Sequence, residues 1–111
     1  MRAARWLAAP AFLFAAAAAA HDYPTATRAD YVLGCMASNG NTRVALEKCS
    51  CALDAIAERV PFPLYEEAET ALRMQAVPMG ERGAIFRDPP DVRGAIEALR
   101  DAQAEATLRC F

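Results

Sequence analysis

The sequence predicts an all-α fold, a compact four-helix array stapled by two disulfides, and three observations carry that expectation. Apolar residues recur at spacings of three and four in four separate segments, and no segment alternates as a half-buried strand would. Four cysteines, an even number, all lie beyond residue 20 of a short chain. The first twenty residues read as an export signal, which puts those cysteines where disulfides form and persist.

That leader, "MRAARWLAAPAFLFAAAAAA", has Arg2 and Arg5 ahead of an apolar run and ends in small residues that suit cleavage after Ala20. A membrane anchor is the competing reading. The run contains Pro10 and is rich in alanine, and it falls short of the about twenty strongly apolar residues that a span needs. The expected organisation is a signal peptide over 1–20 and one helical domain over 21–111, with no membrane attachment after cleavage. The 55% hydrophobic content is inflated by the leader. Removing Arg2 and Arg5 with it leaves ten basic against fourteen acidic residues, so the formal charge moves from −2 to −4. No basic patch remains to hold nucleic acid or anionic lipid.

Within the domain, "HDYPTAT" reads as an irregular arm interrupted by Pro24. Thr27 is the expected cap of a first helix of about eleven residues, with Asp30 three positions on as a weak capping box. Its stripe is Tyr31, Val32, Cys35 and Met36, and "SNGN" ends it. Asn41 or Thr42 caps a second helix, whose buried face is Leu46, Cys49, Leu53, Ile56 and Val60. Pro61 and Pro63 stop that helix, and Pro63 suits the first position of a third, with Leu64, Ala68, Leu72 and Gln75 inward. After a glycine-bounded connection, "VPMGERGAIFRDPP", Asp88, Pro89 and Asp91 signal the start of a fourth helix. Its stripe, Val92, Ile96, Leu99, Gln103, Ala106 and Cys110, thins to alanine towards its end.

The stretch "KCSC" places Cys49 and Cys51 about 200° apart around the second helix, because each residue advances the direction by about 100°. They cannot easily bond to each other, so each belongs to another cysteine, Cys35 or Cys110. Axial register in the hairpin of the first two helices favours Cys35–Cys49 with Cys51–Cys110. Alignment of the core stripes favours Cys35–Cys51 with Cys49–Cys110, and the sequence leaves both open. Either set ties the hairpin and returns the C-terminus to the second helix. Chain-entropy estimates give about 3 kcal/mol for the short loop and about 4 kcal/mol for the long one.

Other chemistry finds little support in the residues. A thiol-redox or copper-handling protein using Cys49 and Cys51 is the competing class, yet both cysteines fall mid-helix and no strands accompany them to build a thioredoxin-like frame. The lone histidine, His21, becomes the first mature residue and is the one candidate metal ligand. The copper site it suggests requires a second histidine, so a solvent-exposed arm is the plain reading. Glu66, Glu67 and Glu69 suit the favourable N-terminal end of the third helix and read as a solvated face. No motif names a catalytic residue, a resident metal or a cofactor. Arg82, Phe86, Arg87 and Asp88 are concentrated on the glycine-bounded connection and are the candidates for binding a partner, since loops carry function more often than regular elements do.

The chain resembles a family of small exported bacterial proteins that share "DYPT" (Asp22 to Thr25), "YV" (Tyr31–Val32), "CM" (Cys35–Met36), "KCSC" (Lys48 to Cys51), "GERG" (Gly80 to Gly83), "FRDP" (Phe86 to Pro89) and "RC" (Arg109–Cys110). The resemblance spans nearly all of the mature chain and implies export, the cysteine framework and an accessory role beside periplasmic quinoprotein alcohol dehydrogenases and their c-type cytochromes. It carries over no catalytic residue. The combined expectation is a non-enzymatic periplasmic accessory domain that binds a protein partner, without a cofactor.

Overall fold

A proline leads into the first described helix. In the computed structural model, which describes residues 22–77 and 90–111, α1 spans Thr25–Asn39 with Pro24 as its N-cap. The extended Pro24 backbone presents its carbonyl to the Arg28 N–H at 3.0 Å, the first helical bond. Thr27 therefore lies inside the first turn instead of capping it, no side chain caps the helix, and α1 has 15 residues against the expected eleven. Proline at this place does not extend the irregular arm. Its fixed φ orients the helix that follows. The arm is corrected in a second respect, because Tyr23 is 3% exposed and belongs to the core.

Gly40 ends α1 with φ of +105°, a backbone conformation that favours glycine, and its N–H donates to the Met36 carbonyl at 2.8 Å. Thr42 then caps α2 (Arg43–Arg59), its Oγ1 accepting from the Ala45 N–H at 3.1 Å. The α2 stripe forms as its spacing predicts, with Cys49, Leu53, Ile56 and Val60 at 0–1% exposure. Leu46 stays at the rim, and Ala45, Ala52, Ala55 and Ala57 widen the buried face.

α3 (Phe62–Ala76) is capped by Pro61, so Pro63 occupies its second position, one later than expected. Its face is also rotated from the expected one. Tyr65, Ala68 and Ala71 are buried, while Leu64 and Leu72 are half-buried at the edges. Small residues at the centre of the face let α3 approach its neighbour closely, which moves the large side chains to the flanks. α4 (Pro90–Cys110) follows its predicted stripe, with Ala95 and Ala102 added to Ile96, Leu99 and Ala106. Its alanine-rich end packs closely, since Ala102 and Ala106 are 2% and 1% exposed.

The principal packing joins α2 to both α1 and α4, and α4 to α3. Among the described residues, Leu53, Ile56, Val60 and Leu99 are the largest sealed aliphatic side chains. No strand forms among the described residues, and none of their helices is long and apolar enough to cross a membrane.

Two disulfides complete the array. Cys35 bonds Cys49 across the α1–α2 hairpin, and Cys51 bonds Cys110 at the end of α4, each with 5.8 Å between Cα atoms. The axial register thus decides the pairing over the core stripes. Cys49 is fully sealed and Cys51 is exposed, as two positions on opposite sides of one helix should be.

Candidate functional site

Both cysteines of "KCSC" are committed to different helices, and no cysteine is free. The pair acts as a junction: α2 packs on α1 and α4, and each of its two crosslinks fastens one of them. No thiol remains in this form to serve as nucleophile or metal ligand. His21 and the partner-binding candidates Arg82, Phe86, Arg87 and Asp88 lie outside the described residues. Of the acidic cluster in α3, Glu66 and Glu67 are exposed, whereas Glu69 is half-buried and pairs with Arg73 at 3.7 Å.

What the described residues bring together is an open cleft of about 600 Å³ between α1, α3 and the end of α4, backed by Ala52 of α2. α1 buries none of its residues, so its side chains line this space without closing it. One end of the cleft is aromatic and acidic. Tyr31 from α1 and Tyr65 from α3 face it, together with Asp30 and Glu69. The other end is formed by the Cys35 half of the hairpin disulfide, Gln103 and Phe111. The Lys48 ammonium sits 5.8 Å from the Phe111 ring centroid.

Arg73 spans the mouth. Its guanidinium donates to Asp30 at 2.8 Å and lies 3.7 Å from Glu69, linking α3 to α1. Both Arg73 and Asp30 side chains are 69% exposed, so this link contributes little to stability. Neither Tyr31 nor Tyr65 donates a hydrogen bond within the described residues. Burial pushes the Tyr65 phenol up, and the Glu69 carboxylate adds to the shift. The Tyr31 phenol is raised by the same two causes in the same order. Both hydroxyls accordingly stay neutral and polar in a largely apolar wall.

Tyr23 supports this arrangement from behind. Its hydroxyl donates to the Val60 carbonyl at 2.6 Å, and its ring packs against Tyr65 at 5.0 Å and edge-on to Phe62 at 5.3 Å. Burial raises its phenol to about 12, partly offset by Arg28. The N-terminal arm thereby fixes the tyrosine that lines the cleft.

A second surface lies on the outer side of the α1–α2 hairpin. Val32 and Met36 are half-buried, while Leu33 and Leu46 are 68% and 37% exposed. They surround a groove of about 430 Å³ whose floor includes Leu53 and whose rim is the Arg28–Asp54 ion pair at 3.1 Å.

Sequence reasoning did not single out Tyr65, Arg73 or this outer groove. The Glu69–Arg73 spacing of four is a visible signal of an ion pair, but Asp30 is 43 residues away, and only the fold brings it to Arg73. No family model, no curated protein and no solved structure matches the chain.

Proposed function

We propose that the chain is a non-enzymatic accessory domain that works in the bacterial periplasm by docking onto a protein partner. The observation that carries this reading is the apolar groove on the α1–α2 hairpin, where Leu33 and Leu46 are exposed beside Val32 and Met36. Contiguous exposed apolar surface marks interaction sites, and a flexible methionine side chain adapts to the shape of what covers it. The two disulfides support an oxidising compartment, since such bonds persist in exported proteins and not in reducing cytosol. The family resemblance directs the first trials to quinoprotein alcohol dehydrogenases and c-type cytochromes, and the Gly80 to Asp88 connection is the second face to probe.

The test is site-specific photo-crosslinking in the periplasm, with the reactive side chain placed in turn at Leu33, Leu46, Arg87 and the exposed Glu97 of α4. The reading expects one adduct of defined mass from Leu33 and Leu46 and none from Glu97. Adducts of mixed mass from every position, or none at any, would remove it.

A further inference from the structure

The α1–α3 cleft has the composition of a site for a small organic cation. Three features coincide there. Asp30 and Glu69 place two carboxylates at its mouth, facing a single guanidinium, so this end is net acidic. The aromatic walls of Tyr31 and Tyr65 stand beside them, and aromatic faces attract ammonium groups. Tyr65 is 5% exposed, and its hydroxyl has no hydrogen-bond partner among the described residues. No described polar atom is both sealed and unpartnered, so that hydroxyl opens onto accessible space. A phenol hydroxyl with no protein partner that opens onto accessible space is a polar group a ligand can engage.

The cleft already holds a cation of its own chain. Arg73 reaches both carboxylates from an exposed, flexible side chain, and such surface pairs are worth little and exchange readily. Its volume of about 600 Å³ lies in the range of small-molecule sites, which suits a ligand with an apolar body behind its charge. That body would lie along Ala52, the Cys35 sulfur and the Phe111 ring.

We propose that this cleft binds a free organic amine, with the ammonium group between Asp30, Glu69 and the tyrosine hydroxyls, displacing Arg73. The ammonium donates to the carboxylates and to the Tyr65 oxygen, and its charge lies against the half-buried Tyr31 ring. The disulfide between Cys35 and Cys49 holds α1 at the distance that keeps the cleft open.

The experiment titrates the full mature chain with phenethylammonium chloride, 2-phenylethanol and phenylacetate at constant ionic strength, followed by NMR of the tyrosine rings. The ammonium should bind about tenfold or more tightly than the alcohol of the same shape, and the carboxylate should not bind. Asp30→Asn and Glu69→Gln should each weaken the ammonium by about tenfold, and Tyr65→Phe by severalfold with the ring retained. Arg73→Gln should tighten it, because it removes the internal competitor. Circular dichroism confirms that each variant keeps its helices. Equal binding of the alcohol, no loss in Glu69→Gln, or weaker binding in Arg73→Gln would each overturn the proposal.

Discussion

The two sides of α2 are built differently. α4, packed against it, contributes sealed residues: Leu99, Ala102 and Ala106, all at 2% exposure or less. Towards α1 the packing is thinner, since α1 buries no residue and its Leu33 is 68% exposed. Yet each side carries one disulfide. On the α4 side the crosslink adds to a core that packing already holds. On the α1 side it fastens a helix that buries no residue, aided by Tyr23 just ahead of that helix. A helix held in this way can leave one groove open towards α3 and another on its outer face, which a fully packed helix cannot.

The largest expected difference comes from deleting the crosslinks. Replacing Cys51 and Cys110 by alanine opens a loop of 59 residues and should lower the urea unfolding free energy by about 4 kcal/mol, in one cooperative transition. Replacing Cys35 and Cys49 opens a loop of 14 residues, should cost about 3 kcal/mol, and should produce an early transition of α1. Mass spectrometry with alkylation provides the companion check of the pairing. Either matched double variant keeps one disulfide and takes up no label, whereas the mismatched Cys35→Ala/Cys51→Ala variant exposes two thiols.

Core truncation separates the regions almost as strongly. Leu99→Ala, at a site with no exposure, should cost about 2–5 kcal/mol by thermal or urea unfolding. Leu33→Ala, at 68% exposure, should stay within about 0.5 kcal/mol. A large cost at Leu33 would mean that α1 is packed in solution more deeply than the structure shows.

The tyrosines sharpen the comparison through pH. Tyr23, Tyr31 and Tyr65 all have phenols raised above their ordinary value of 10, chiefly by burial. The folded chain therefore holds these protons more tightly than the unfolded chain. Their contribution is complete below pH 10 and is lost as pH rises through the raised values, for Tyr23 about 12. Unfolding followed from pH 9 to 12 should show a progressive fall in stability. Tyr23→Phe should flatten part of that fall and cost about 1 kcal/mol at neutral pH, by leaving the Val60 carbonyl without its donor.

The smallest effects belong to the exposed ion pairs. Arg28→Gln and Arg73→Gln should each change global stability by less than about 1 kcal/mol, and addition of salt should reduce even that. Larger effects would mark those pairs as principal fasteners of α1.

The architecture was readable where periodicity and local chemistry decide it. The α2 stripe, a cap at Asn41 or Thr42, the glycine stop at Gly40 and the divergence of Cys49 from Cys51 all follow from rules that act within a few residues. Tyr23 escaped because its burial depends on the Val60 carbonyl and on two rings in α3, contacts made only after folding. The α3 face differs from the one its leucines suggest, because Ala68 and Ala71 determine how closely α3 can approach. The cleft was invisible for a related reason: it exists where α1 and α3 fail to close on each other, and no spacing in the sequence records that gap.

The most direct test of this account is amide hydrogen exchange on the Cys35→Ala/Cys49→Ala variant beside the native chain. Amides of α1 from Arg28 to Asn39 should lose protection, while those of α2 from Ala52 to Arg59 and of α4 from Ala95 to Ala106 keep most of theirs. Uniform loss across all helices, or full retention in α1, would contradict the claim that a crosslink stands where a core is missing.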